Sequence, residues 1–208
     1  MRRELHVRFC EGGEMQSLSA TRLVICLQYQ QDGERVVEAL RERFAKFGLS
    51  LSEEKTRLIK FGRYAKANGE KRGERPMTFD YLGFTHFIDR TRRGTFKVGR
   101  RTSKKKFRAK IKAMNEWLKS VRNAVKLKEW WVVLRLKLVG HYRYYGISGN
   151  FVGIARYYLR VLALVYKWIN RRSQRRSYNR RGFAQYLGHY PIPKPRIYRS
   201  LYTLSPVK

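Results

Sequence analysis

The hydrophobic and polar positions change period near residue 100. Before that point, short β-favouring runs flank one clear helical stripe. Residues 23–29, LVICLQY, predict a buried strand. Asp32 stands where a helix cap would. Val36, Val37, Leu40, Phe44 and Phe47 then recur at helical spacing, and Gly48 supplies the stop. A second helix start is expected at Ser52, with Glu53 and Glu54 in its first turn, where the helix dipole favours acids. Residues 58–61 and 79–88 read as strands, and 95–98 pair with the latter in a hairpin across Arg93-Gly94. The intervening AKANGEKRGERP reads as a loop. Residues 1–19, including EGGEMQSLS, have no clear period and stay unassigned. Residues 20–98 thus predict β-α-α-β-β-β, a small sheet with helices on one face.

From residue 103 the period is helical. Phe107, Ile111, Met114, Leu118, Val121 and Val125 step by three and four, an apolar stripe on one helix. Lys104, Lys105, Lys106, Arg108, Lys110, Lys112 and Lys119 occupy its other faces. Residues 128–145 are apolar nearly all round, which predicts the most buried helix. Phe151, Ile154, Tyr158, Val161, Val165 and Trp168 mark a third amphipathic helix, and 183–187 a short fourth. The tail from residue 188 is broken by prolines and is expected along the surface. The fold class predicted is α+β: a sheet unit over 20–98, a three-helix bundle within 99–187, and a basic tail over 188–208.

Charge adds the first functional constraint. Hydrophobic residues make up 43% of the 208, enough for a real core despite a net charge of +33. Residues 1–88 hold 16 Lys/Arg against 12 Asp/Glu, whereas 89–208 hold 32 against three, Asp89, Glu116 and Glu129. Such a field opposes folding by self-repulsion unless a polyanion neutralises it, and clustered cations with interleaved aromatics point to nucleic acid. An anionic membrane surface is the less favoured partner. The most apolar stretch, 130–140, is interrupted by Arg135 and Lys137 and is too short to span a bilayer. No secretory signal is read in MRRELHVRFC. Cys10 and Cys26 lack metal-ligand spacing, Cys26 reads as a small core hydrophobe, and no disulfide framework is implied. His6, His86, His141 and His189 are too scattered for a zinc site. A reducing, cytoplasmic location follows.

Several segments resemble one family. ALRERFAKFGLSLSEEKTRLIKFGR and FDYLGFTHF are similar to the late palm of bacterial group II intron-encoded reverse transcriptase/maturases. LKLVGHYRYYGI, WINRRSQRRSYN and HYPIPKPRIYRSLY resemble that family's thumb, or maturase, domain and its tail. The likeness covers roughly residues 20–204. It implies a partial reverse-transcriptase palm followed by a three-helix thumb. It makes Tyr81, Leu82 and Gly83 a primer-grip-like turn, with a bulge in a hairpin as the less favoured reading of Gly83. It implies a thumb that lies against a duplex or intron RNA, with Lys104, Lys105, Lys106, Arg108, Lys110 and Lys112 as one contact cluster. Arg171, Arg172, Arg175, Arg176, Arg180 and Arg181 form the other. Tyr142, Tyr144, Tyr145, Tyr178 and Tyr186 are candidate stacking platforms for unpaired bases.

The chain departs from the family at its hallmark. Aligned on Leu23-Val24-Ile25, the Tyr-x-Asp-Asp box falls on Ser19-Ala20-Thr21-Arg22. Two-metal phosphoryl transfer needs carboxylates, and a guanidinium has no lone pair to offer a cation. The full-length family is expected to use Mg2+, but its ligands are missing here. No metal site, cofactor or catalytic residue is assigned, and Asp32, Asp80 and Asp89 are not taken as ligands. The fingers and first half of the palm also have no counterpart, so the resemblance is to a truncated member. The leading expectation is a maturase-like module that binds structured group II intron RNA, is inactive alone, and takes DNA or an RNA/DNA duplex as further ligands. One alternative is the C-terminal subunit of a split RNA-directed DNA polymerase, partnered by a separate N-terminal chain. Another is a decaying gene remnant.

Overall fold

A computed structural model describes residues 6–11, 22–53, 56–71, 73–172 and 177–200. Ser19, Ala20 and Thr21, Glu54, Arg175 and Arg176 lie outside the described residues, as do most of the unassigned arm and the tail beyond residue 200. The chain is mixed α+β and divides into two units. One ends at Gly99. The other takes in Gly83–Thr85 and everything from Arg100 on.

The first unit departs from expectation at its centre. β1 (His6–Glu11), from the arm left unassigned, pairs antiparallel with both β2 (Arg22–Leu27) and β3 (Arg57–Lys60). Val7 faces Cys26 on one side and Ile59 on the other. HVRF does alternate polar and apolar, but four residues are too few to separate a strand from noise. α1 (Gln30–Ala45) begins two residues before Asp32, which lies in the first turn and is not the cap. Gly48 ends it as expected. At φ 67° it lets Leu49 N–H reach Phe44 O at 2.9 Å and its own N–H reach Ala45 O at 3.0 Å, the paired bonds of a Schellman stop.

Ser52 does not start a helix among the described residues. Its carbonyl accepts one i+4 bond from Thr56 N, and β3 then begins at Arg57, leaving room for a single turn. The segment read as a loop instead contains α2 (Ala65–Lys71). Its alanines, Glu70 and Lys71 favour helix, and the flanking glycines masked that preference. Residues 79–88 are not one strand but β4 (Phe79–Tyr81) and β5 (Phe84–Arg90), separated by a turn at Leu82-Gly83. The hairpin across Arg93-Gly94 is present, with β6 (Phe96–Thr102) completing a second sheet in the order β4-β5-β6. Two three-stranded sheets therefore replace the single sheet expected. Cys26 is exposed, not packed as a core hydrophobe, since its place on edge strand β2 leaves it uncovered.

The core of this unit is thin. Ile59 and Phe61 are buried, with Val24, Phe79, Tyr81, Ile88 and Val98 partly buried around them. The α1 stripe is only half-buried, and Phe47 is 69% exposed.

The helical unit follows the sequence more closely. α3 (Lys104–Ala124) is capped by the Ser103 hydroxyl, which accepts from Lys106 N. Met114 and Leu118 are buried, with Phe107, Ile111, Val121 and Val125 packed beside them. α4 (Leu127–Tyr145) buries Trp130, Trp131, Leu134, Leu138, His141, Tyr142 and Tyr145. It is not enclosed all round, because Val132, Val133, Leu136 and Tyr144 remain exposed. α5 (Phe151–Ile169) buries Ile154, Val161, Val165 and Trp168 from the expected stripe. Tyr157 is buried where Tyr158 is half-buried, and Phe151, at the helix start, is 50% exposed. α6 (Arg180–His189) is longer than the expected 183–187, because the Asn179 side chain accepts from Gly182 N at 2.7 Å and caps it early.

Asn150 ties the unit together. Its amide accepts from Thr102 N and donates to Thr102 Oγ1 and Tyr145 O, all at 2.9 Å. Beyond α6, the described part of the tail forms no helix or strand, yet it is not merely laid along the surface. Ile192 is buried, and Tyr198 N donates to Gly146 O at 2.7 Å.

Candidate nucleic-acid interface

Lys104, Lys105, Lys106, Arg108, Lys110 and Lys112 are all exposed on the first half of α3. Lys104, Arg108 and Lys112 fall in one i+4 row and Lys106 and Lys110 in another. Lys112 lies 3.9 Å from Glu116, and among the described residues the other five have no ion pair. The first turn contains no acid. Three lysines at a helix N-terminus oppose the macrodipole, each by about 0.3–1 kcal/mol, while the same end attracts anions. Local helix stability is thus given up at the place where a phosphate would be favoured.

The second cluster lies at the other end of the bundle. Arg171 is exposed just past α5, and Arg172 is half-buried with an Nη1 that has no hydrogen-bond partner among the described residues. Arg180 and Arg181 are exposed in the first turn of α6, again without an acid. The two clusters do not merge. Lys104 and Arg122 are separated by about 27 Å along the axis of α3. Cations on the same helix bridge the gap. Arg108, Lys112, Lys119 and Arg122, with Asn115 between them, recur at steps of four and three, so one polar stripe runs the length of α3. It flanks the apolar stripe, one position or about 100° further round the helix. Arg122 and Lys167, which the sequence reading did not single out, stand where it meets α5, and both lie over Trp168.

The tyrosines sort by burial. Tyr142 and Tyr145 are 0% and 4% exposed and belong to the core, not to a stacking surface. Burial, with neighbouring phenols, pushes both hydroxyls above their ordinary range. Tyr144 is 53% exposed and stacks on Phe84 with centroids 6.1 Å apart. Tyr178 and Tyr186 are half-buried and in ring contact at 5.3 Å.

His141, in the resemblance-bearing GHYRYY stretch, is a core residue. Its ring stacks on Tyr157 with centroids 3.6 Å apart. Burial first, and then the charge of Lys110, hold its pKa down at about 4, so it is neutral at physiological pH.

Tyr81, Leu82 and Gly83 form the tip of the β4–β5 hairpin. Leu82 has φ 47° and Gly83 φ 79°, the left-handed pair of a two-residue type I′ turn. Gly83 is therefore a turn residue and not a bulge. Its carbonyl accepts from Ser103 N at 2.9 Å, and a Cβ on it would stand 2.9 Å from Tyr145 Oη. Leu82 is 57% exposed, an apolar side chain displayed on a strained backbone.

Arg22 lies on β2. Asp80 is exposed on β4, and Asp89 pairs with Lys97 at 2.9 Å. Among the described residues, no group of three His, Cys, Asp or Glu could hold a metal ion, and no helix is long and apolar enough to cross a membrane. No family model, no curated protein and no solved structure matches the chain.

Proposed function

We propose that this chain is an RNA-binding module of the maturase kind, which holds a folded RNA against the basic faces of its helical unit. The carrying observation is the row of exposed, mostly unpaired cations along α3, continued by Arg171, Arg180 and Arg181, over a closed aromatic core. A rigid bundle holds these charges at fixed spacing, so a folded RNA that presents phosphates in the matching arrangement binds more tightly than an extended strand. By mass action such binding stabilises the folded RNA over its unfolded forms. Chemistry then belongs to the RNA. Phosphate contacts position the partner without reading its sequence, and Tyr144, exposed on α4, is an aromatic ring on which an unpaired base can stack. Group II intron RNA is the substrate class that the sequence resemblance favours, and a partial reverse-transcriptase palm is the origin it favours for the first unit.

Binding of the full chain to a group II intron transcript, titrated with salt, tests this reading. For six to eight phosphate contacts, log K against log salt is expected to slope by about −4 to −7. The folded transcript should bind more tightly than an unstructured strand of equal length. A slope near zero, or equal affinity for the two, would remove the proposal.

A further inference from the structure

Trp168 is the meeting point of three cations. Arg122 Cζ and Lys167 Nζ each lie 4.8 Å from its ring centroid, and Arg171 Cζ lies 5.8 Å away. They come from the last turn of α3, the last turn of α5 and the residue beyond its cap. The indole is 4% exposed, and its Nε1 donates to Asn115 Oδ1 at 2.9 Å, so the platform is fixed. By their distances from the ring, no two of the three charges can be more than about 11 Å apart, close enough for one strand to meet all three. Among the described residues none of the three has a carboxylate partner.

Cation–π attraction holds each group near the ring but does not cancel its charge. A guanidinium laid over an indole uses its face and leaves its edge donors free for a planar or tetrahedral oxyanion. Three like charges gathered on a rigid ring with no counter-ion form a site that an anion relieves. Asn115 Nδ2, with no partner among the described residues, adds a neutral donor beside it.

We propose that Arg122, Lys167 and Arg171 form a phosphate cradle on Trp168, which binds two to three successive backbone phosphodiesters of an RNA strand where the α3 stripe passes to the α5 end. The identity of the ligand rests on the RNA-binding reading above, whereas the cradle as an anion site does not. It receives one strand at a fixed point and so sets the register of the contacts along α3.

The test uses the full chain and the triple variant Arg122→Gln/Lys167→Gln/Arg171→Gln. A matched control removes three exposed charges elsewhere, Arg135→Gln/Arg143→Gln/Arg160→Gln. Fluorescence anisotropy with a labelled RNA hairpin is recorded across a salt series. The cradle variant is expected to bind at least tenfold more weakly at physiological salt, with a salt slope shallower by about 2 to 3. The control should lose less than one unit of slope. An unchanged slope in the cradle variant, or an equal loss in the control, overturns the proposal. Inorganic pyrophosphate, at ionic strength matched with chloride, should raise the Tm of the wild type and not that of the cradle variant. If RNA binds but pyrophosphate has no such effect, the cradle falls and the RNA reading stands. If pyrophosphate stabilises only the wild type and no RNA binds, the cradle stands and the RNA reading falls. Should the triple variant lose its helical signal, Lys167→Gln, at an exposed position, carries the same test with a slope change of about 1.

Discussion

At the residue scale, His141 couples the core to pH. Its folded pKa of about 4 lies below the ordinary 6.5. As pH falls, the unfolded chain therefore takes up the proton first. Stability is complete above pH 6.5 and is lost progressively down to pH 4, by at most on the order of 3 kcal/mol. Thermal melts between pH 7 and pH 4 should show a falling Tm. His141→Phe, which keeps a ring against Tyr157 but cannot titrate, should flatten that slope; an equal fall in the variant would show that other groups carry it. Leu82 is the second residue of interest. A leucine at positive φ costs roughly 1–2 kcal/mol that glycine would not. Leu82→Gly is expected to raise stability, read as a higher denaturation midpoint, and to weaken RNA binding if the apolar tip contacts bases. A gain in stability with unchanged affinity would make the tip a turn and nothing more.

At the element scale, α3 carries the conflict between folding and binding. Lysines in its first turn oppose the dipole, so Lys104→Glu/Lys105→Glu should stabilise the helix by about 0.5–2 kcal/mol in total while lowering RNA affinity at least tenfold. Chemical denaturation and anisotropy on the same protein check both signs. A variant that is both more stable and binds as well would mean that the lysines are only a solvated face. The helices α3, α4 and α5 were legible from their residues because α3 and α5 repeat an apolar stripe over about five turns and α4 is apolar over the same length. What the pattern could not show is which side of an all-apolar helix stays uncovered. Val132 and Leu136 read as core by type, yet they are exposed. The sheet elements were less legible. β1 announces itself in four residues, and the tight turn at Leu82-Gly83, marked by the resemblance, left no sign in the pattern, where it lies inside a run of β-favouring side chains.

At the scale of the whole molecule, the two units differ in how much they bury. Among the described residues the first unit has Ile59 and Phe61 as its fully buried side chains, whereas the helical unit encloses Trp130, Leu134, Leu138, Tyr142, Ile154, Val161 and Val165. Local opening is least costly where few apolar contacts are lost. Amide exchange should therefore be faster in β2 and β3 than in the middle of α4 and α5, with a gap of tenfold or more. Equal protection would mean that the first unit is supported by contacts beyond its own core. The contrast in charge follows the same division. The unit with the larger core is the one that can hold a dense cationic surface against its own repulsion.

From the order of residues alone followed the helical periods, the Gly48 stop, the Arg93-Gly94 hairpin and the imbalance of charge. Each is local, set by neighbours within a few positions or by composition. Three things were decided only by the tertiary structure. His6–Glu11 became the centre of a sheet, Tyr142 and Tyr145 became core, and Arg122, Lys167 and Arg171 were gathered on one indole. Residues more than forty positions apart meet only after helices pack, and no period along the chain records which of them will.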